Sequence, residues 1–488
     1  NVDFDTNEVN KKAFSGVIWK FMERLSAQAV SVLVSIIIAR ILSPDDYSVV
    51  SIVTIFFTFS NVLISGGLNT ALIQKKDADE EDYSTVFSIS LIVSIMLYIL
   101  LFVMAPYIAN IYNKQILVPV IRVMSLILPI NAVKSIVCAY VSNTLQFRKF
   151  FFSTISGTIV SAIVGIFMAV YGFGAWALVA QQMTNAFIDT LILYLSIHLR
   201  FRLMISLERL NSLWDYGWKV LVSSLIGTAY AEITPLFIGL RFSASALSFY
   251  DKGRSFPILI SSTTTNTLSA VLLPVLSKFQ DDNEKLLNYT RKYITVTSFV
   301  VFPLMIGLCA VGDKFILLLL TDKWINAIPY LQIFCIASMF DMINIGNCET
   351  IKAMGRSDVF LIMELIKKVG YFLVIAVFLA FSNTPIMLAV SALFCTVIAI
   401  TVNSIPNKYL IGYSYKFQAQ DIVLNLICSI IMGVIVWSIG RTISISLLPL
   451  LLLQITTGVI VYFVISILFK NENIYFLLQI AKQYLRRR

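Results

Sequence analysis

YSTVFSISLIVSIMLYILLFVMAPYIAN, residues 83–110, contains no Asp, Glu, Lys or Arg. As a helix it would be about 42 Å long at 1.5 Å per residue. A soluble core has no use for an uninterrupted apolar helix of that length, whereas a hydrocarbon layer about 30 Å thick needs roughly 20 apolar residues to cross it. The stretch reads as a membrane span. Thirteen similar runs flank it, near 13–39, 46–73, 116–146, 150–171, 174–198, 213–240, 244–276, 291–311, 327–351, 358–381, 384–405, 418–440 and 443–469. Composition agrees: of 488 residues, 58% are hydrophobic and 13% charged, against about a quarter charged in an ordinary soluble protein. A soluble enzyme is excluded, and 35 Phe and 21 Tyr against 20 Gly and 12 Pro exclude disorder and fibrous classes.

The expected fold is therefore an all-α polytopic membrane protein with about 14 transmembrane helices. The connections are short, so no soluble domain interrupts them. With the N-terminus inside, twenty-two Lys and Arg fall in inner loops and six in outer ones: Arg40, Lys114, Arg241, Lys314, Lys323 and Arg441. That asymmetry places both termini in the cytoplasm. It also accounts for most of the formal charge of +10 without nucleic acid. The polar opening, Asn1 to Lys12, argues against a cleaved signal peptide.

A basic connection, 199–212 (LRFRLMISLERLNS), alternates Leu, Phe and Met with Arg and suits the membrane interface. A faint repeat flanks it: Trp19 and Trp218, Arg40 and Arg241, Tyr47 and Tyr250. Parallel repeats about an axis along the membrane normal are a common transporter plan. The organisation expected is an N-terminal tail, 1–12; an N-lobe of six spans, 13–198; the linker; a C-lobe of six spans, 213–405; two further spans, 418–469; and a basic tail, 470–488. The lobes are then related by a pseudo-two-fold axis.

Chemistry-bearing motifs are few. Nothing matches GxxxxGK[ST], and the one histidine, His198, leaves no HExxH site. The six cysteines (138, 309, 335, 348, 395 and 428) sit in apolar runs without CxxC spacing, so neither a disulfide framework nor a zinc site is expected. Asp45-Asp46 has the composition of a metal-holding acidic pair, but Ser43-Pro44-Asp45-Asp46 reads better as a helix start: Ser as cap, Pro in the first turn, and acids at the positive end of the dipole.

The informative residues are charges inside spans, because one charge near mid-bilayer costs about 2.5–3.5 kcal/mol even on insertion scales. Basic ones are Lys20, Arg24, Arg122, Lys134, Lys219, Lys252, Arg254, Lys367 and Lys368; acidic ones include Glu23, Asp189, Asp215, Glu232, Asp251, Asp341, Glu349 and Glu364. Counted from a helix start near residue 13, Arg24 lies roughly 16 Å deep, where a guanidinium faces a polar interior or a phosphate. Asp251-Lys252-Gly253-Arg254 precedes Pro257 and the polar run Ser261 to Asn266, which suits a water-filled path, although an Asp–Lys or Asp–Arg structural pair is equally available. Glu23, Glu232, Asp251, Asp341 and Glu364 are candidates for ion coupling or for counter-ions. Spacing does not separate those roles.

IARILSPDDY (38–47), ALIQKKDADEEDYSTVF (71–87), SFYDKGRSFP (248–257), LLPVLSKFQDD (272–282), LLLLTDKW (317–324) and AMGRSDVFL (353–361) together resemble oligosaccharide repeat-unit flippases. These form the polysaccharide-exporter branch of the multidrug/oligosaccharidyl-lipid/polysaccharide exporter superfamily, and the resemblance runs from about Lys11 to about Lys368. It implies two six-helix lobes around a cationic cavity open alternately to either face, with two further helices beside a lipid-accessible groove. The implied substrate is an undecaprenyl-pyrophosphate-linked oligosaccharide. In related peptidoglycan-precursor flippases an Asp-Arg pair lies five residues before a Pro, with the Arg on the pyrophosphate; here the matching positions are Asp251, Lys252 and Pro257. Lys in place of Arg loses the bidentate fork, so Arg254 is a candidate for the same role. Tyr47-Ser48 departs from the family's Tyr/Phe-Gly.

A pyrophosphate is prohibitively costly to move bare through hydrocarbon, so Arg24, Lys252 and Arg254, then Lys134, Lys367 and Lys368, are the expected contacts. Ser261, Ser262, Thr263, Asn266, Asn344 and Asn347 are the expected polar lining for the sugar. The function expected is a non-enzymatic flippase of the bacterial inner membrane, with membrane lipid around it and polysaccharide polymerase machinery as a candidate partner. No cofactor is expected beyond a coupling ion, H⁺ or Na⁺, and nothing requires more than a monomer. A drug or organic-cation antiporter of the same superfamily would want an acidic cavity without surplus cations. A polysaccharide polymerase or ligase would want a long external loop with catalytic residues, which this sequence lacks.

Overall fold

The computed structural model describes residues 6–65, 67–75, 78–144, 146–197, 202–280, 282–471, 473 and 474; for 6–18, 20, 21, 266–271 and 273–275 it describes the backbone only. It is helical, with no strand among the described residues, as expected where every backbone group must be satisfied without water. Two compact units divide it, Asn1–Ser248 and Phe249–Arg488.

The first unit holds α1 (Thr6–Ile41), α2 (Pro44–Ser65), α3 (Leu68–Gln74), α4 (Glu80–Ile111), α5 (Leu117–Met124), α6 (Ile127–Asn143), α7 (Phe147–Val170), α8 (Ala175–Leu195) and α9 (Leu207–Arg241). Small residues let its helices approach closely, as packing within lipid demands. A Cβ added at Gly157 would lie 2.9 Å from that of Asp189, and one at Gly165 would lie 2.9 Å from that of Gln181, so α7 and α8 meet almost backbone to backbone. At Gly67 the added atom would stand 2.5 Å from the Gly217 carbonyl oxygen, which is how α9 lies against the break between α2 and α3. The compact units thus divide after Ser248 rather than within the 199–212 connection, and α9 groups with the helices before it.

Helix α10 (Ala244–Ser277) begins in the last residues of that unit and continues into the second. The second unit goes on with α11 (Asn283–Leu320), a 3-10 turn (Asp322–Ala327), α12 (Ile328–Ser338), α13 (Asp341–Ala353), α14 (Ser357–Phe381), α15 (Pro385–Leu410), α16 (Tyr415–Thr442) and α17 (Leu447–Leu468). Its core packs Phe299, Val311, Cys428, Met432, Val436, Leu451 and Tyr462 between α11, α16 and α17.

Among the described residues eleven segments are long and apolar enough to cross a membrane, so the chain is a multi-pass membrane protein. The other three expected spans, 174–198, 244–276 and 358–381, form α8, α10 and α14. These helices carry Asp189, the Ser261–Thr265 hydroxyls and the Glu364–Lys367–Lys368 charges, which lower their hydropathy. Three expected continuous spans are broken: 46–73 becomes α2 and α3, 116–146 becomes α5 and α6, and 327–351 becomes α12 and α13.

Helix starts follow local chemistry. The Ser43 hydroxyl accepts the Asp46 amide at 3.2 Å and donates to the Asp46 carboxylate at 2.6 Å, while Asp45 pairs with Lys114. The acidic pair is therefore a helix start tied to a neighbouring loop. Ser243 repeats the cap, accepting the Ala246 amide at 3.0 Å. Asp79 caps α4 through the Asp82 amide, which holds its carboxyl below the ordinary range. Lys75 pairs with Asp82 at 2.6 Å, and Arg209 reaches Asp79 at 2.9 Å, so Lys75, Asp79 and Asp82 are structural charges. The extended segment 202–206 is strapped along α4 by amides of Arg202, Met204 and Ser206, which donate to hydroxyls of Ser84, Ser88 and Thr85.

Candidate functional site

Each unit holds a polar, partly open cavity among its own spans. In the first, α2, α6 and α8 surround about 290 Å³ walled by Thr54, Phe57, Thr58, Asn61, Asn131, Lys134, Gln182 and Asn185. Thr54, Thr58 and Asn61 recur at intervals of four and three residues, one face of α2. Asn131 Nδ2 donates to Asn61 Oδ1 across the helices at 2.9 Å. Lys134 Nζ donates to Asp189 Oδ2 at 2.6 Å; the carboxylate is 5% exposed and the lysine 34%.

In the second unit, α10 and α13 wall about 240 Å³ with Ile258, Ser261, Ser262, Thr265, Asp341, Asn344 and Ile345. Ser261 Oγ donates to Asp341 Oδ2 at 2.7 Å, and Asn403 of α15 donates to Asn344 at 3.2 Å. Asn61 and Ser261 each lie eighteen residues after their caps, Ser43 and Ser243. Each is bonded across the bundle to the helix that follows a break, at Asn131 or Asp341, and Lys134 or Asn344 comes three residues later. The faint repeat in the sequence thus marks a repeated cavity.

The expected pyrophosphate contacts meet different fates. Arg24 is exposed and makes no ion pair among the described residues, while its neighbour Glu23 accepts from Thr154 and ties α1 to α7. Helix α1 starts at Thr6, so Arg24 lies within one continuous helix that runs to Ile41. Lys252 is only 7% exposed, with its ammonium 5.6 Å from the Trp324 ring. It is an internal cation and not an open contact. Arg254 pairs with Asp251 at 3.5 Å and lies over Tyr250, the structural-pair reading of that cluster. Lys367 is buried against Glu364 and Lys368 stands over Tyr371. Arg122 rests on the Phe102 ring at 4.3 Å.

Of the expected sugar-lining residues, Ser261, Ser262 and Asn344 wall the second cavity and Thr263 is exposed. Asn266 lies on α10, but its side chain is outside the described residues. Asn347 does not line the cavity. It is fully buried, donating to Ser404 and Gln418 and accepting from Asn407, because an amide between packed helices finds its partners in them. Glu232 is half-buried on α9. Sequence reasoning missed Asn61, Asn131, Gln182 and Asn185; the signal available was polar residues on one face of spans that are otherwise apolar.

With this geometry in place, comparison with known proteins is informative. Residues 37–329 match the family model described as polysaccharide biosynthesis protein. The succinoglycan biosynthesis transport protein ExoT of Rhizobium meliloti is 23% identical over 370 residues, 75% of this chain and 74% of the relative. The teichuronic acid biosynthesis protein TuaB of Bacillus subtilis is 23% identical over 452 residues, 88% and 90% respectively. The lipopolysaccharide biosynthesis protein WzxC of Escherichia coli is 21% identical over 353 residues, 72% of each. Among solved structures, the lipid II flippase MurJ in an inward closed conformation superposes with a TM-score of 0.77 at 14% identity, covering 94% of this chain and all of that one. An inward-facing MATE transporter of the MOP superfamily gives 0.59 at 14%, covering 79% and 96%. These two likenesses establish the fold.

Proposed function

Since this chain belongs to the family of polysaccharide biosynthesis proteins, we propose that it is a flippase for an undecaprenyl-pyrophosphate-linked oligosaccharide, the repeat unit of an O-antigen, capsule or exopolysaccharide. It carries this cargo across the bacterial inner membrane by alternating access, with both termini in the cytoplasm and no covalent change. The observation that carries the reading is the polar wall inside otherwise apolar spans in both units. A glycan is costly to strip of water in hydrocarbon unless its hydroxyls find partners, and such walls supply them. Relatives named for succinoglycan transport and for teichuronic acid and lipopolysaccharide biosynthesis support the cargo class.

Arg24 is the leading pyrophosphate ligand, because a guanidinium without an ion pair among the described residues can give a phosphate its donors at once. Arg254 and Lys134 must first leave Asp251 and Asp189. The coupling ion, H⁺ or Na⁺, enters at Asp341. There Ser262 and Thr265 direct their hydroxyl protons to the Leu259 and Ser261 carbonyls, which leaves hydroxyl lone pairs beside the carboxylate. That is cation chemistry.

The test is leaflet translocation in proteoliposomes of a fluorescent lipid-pyrophosphate-oligosaccharide, under imposed H⁺ or Na⁺ gradients. Wild type should move the lipid, and Arg24→Ala should slow it about tenfold or more, as expected for a lost charge-assisted contact. Transport unaffected by Arg24→Ala would return that residue to a surface role. No transport at all, with gradient-driven efflux of an organic cation instead, would move the chain to the antiporter branch.

A further inference from the structure

The cavity of the first unit can be read atom by atom. Thr54 and Thr58 direct their hydroxyl protons to the carbonyls of Val50 and Thr54, leaving lone pairs to accept. Asn61 and Asn131 share one hydrogen bond. Whichever way the two amides are oriented, one NH₂ and one carbonyl side by side remain uncommitted among the described residues. Asn185 donates to Ser161 and keeps its carbonyl, and Gln182 is exposed with no side-chain partner among the described residues. The wall therefore presents donors and acceptors interleaved.

That pattern selects the ligand. An anion needs surplus positive charge, but Lys134 is matched by Asp189 at 2.6 Å. A cation would meet the Lys134 ammonium. An apolar molecule would cover the uncommitted groups of four amides without giving them partners, which is costly. A polyol, in which every hydroxyl both gives and accepts a hydrogen bond, matches the wall, and Phe57 adds an apolar surface for a ring face. About 290 Å³ lies at the small end of ligand sites, the size of one ring and not a chain.

We infer that the α2–α6–α8 cavity is a saccharide subsite that takes one neutral pyranose ring of the transported glycan. The inference rests on the proposed cargo for its biological meaning, while the binding event is separate from flipping. In that role Asn61, Asn131 and Gln182 read the orientation of ring hydroxyls, and Lys134, held by Asp189, donates to one of them. The wall at Asp341, built around hydroxyl lone pairs and a carboxylate with no lysine partner among the described residues, suits a cation better than a ring.

The test uses the full-length protein in detergent, with thermal melting followed against D-glucose, D-galactose, D-mannose, L-rhamnose, N-acetyl-D-glucosamine and D-glucuronate. Betaine at equal osmolality controls for excluded-solute stabilisation. At least one neutral pyranose should give a saturable shift that betaine does not. Gln182→Met, an exposed position whose change leaves packing intact, should weaken the apparent affinity about three- to tenfold, the worth of one or two hydrogen bonds; Asn131→Leu should do the same or more. No saturable shift with any neutral sugar, as for a cavity that only holds water, would overturn the subsite. So would equal shifts in wild type and both variants, or tighter binding of glucuronate than of every neutral ring. The same preparation is assayed for flipping in liposomes. Sugar binding without flipping keeps the subsite and sinks the flippase reading; flipping without sugar binding does the reverse.

Discussion

The two cavities occupy matching places in their units yet offer opposite chemistry. In one, Asn61 meets Asn131 and a lysine follows three residues later, balanced by Asp189. In the other, Ser261 meets Asp341 and an asparagine follows three residues later, bonded to Asn403. The scaffold is the same: a serine-capped helix, then a helix that follows a break, then a cross-bundle bond. What differs is the charge at two positions. A repeat can thus keep its packing while its two copies take on different ligands, since the bond that joins the helices tolerates an amide, a hydroxyl or a carboxylate.

The largest effect that would break this comparison lies at the ion pair. Asp189→Leu leaves Lys134 without its partner and should destabilise the protein by about 2–3 kcal/mol, somewhat less than a fully buried pair because the lysine is a third open. Adding Lys134→Leu should restore most of the loss. A single variant that melts with wild type would show that water, and not Asp189, carries the lysine's charge.

Next is Asp341→Asn, which swaps the second cavity's carboxylate for the amide that the first cavity has at Asn131. Its melting temperature should stay close to wild type, while the response of flipping to an H⁺ or Na⁺ gradient should fall about tenfold, the worth of roughly 1.4 kcal/mol. A gradient response that persists would remove Asp341 from coupling.

Smaller still are the caps. Ser43→Ala loses both a bond accepted from and a bond donated to Asp46, whereas Ser243→Ala loses the one accepted from Ala246. The first should cost about 1–2 kcal/mol and the second about 0.5–1 kcal/mol, within the range for N-caps. The reverse order in thermal melts would contradict the two-bond reading of Ser43. The smallest effect belongs to the matched cross-helix bonds. Asn131→Leu and Ser261→Ala should each cost about 0.6 kcal/mol, typical of interhelical hydrogen bonds in a membrane. A clear inequality between them would show that the copies are not equivalent in packing.

The spans were legible because an apolar run about as long as the bilayer is thick has few other uses, and the serine-proline-acid start of α2 because capping is local. The repeat was visible at Trp19 and Trp218 or Arg40 and Arg241 only as a trace. Its strongest members, Asn61 with Ser261 and Asn131 with Asp341, differ in residue type and line up only when bonded partners are compared. Arg24 kept its candidacy, being exposed and without an ion pair among the described residues. Lys252 did not stay an open contact, because Trp324, more than seventy residues later, closes over it.

Sequence alone determined that this chain lives in a membrane, that a capped helix such as α2 begins where it does, and that charges and amides within spans must be satisfied. Hydrophobic length and capping act within one helix, so they can be read one helix at a time. Which partner satisfies each group was decided by tertiary structure: Asp189 for Lys134, Trp324 for Lys252, an amide network for Asn347, a cavity for Gln182. A buried polar group takes whichever partner packing brings within about 3 Å, and that neighbour is often far away along the chain.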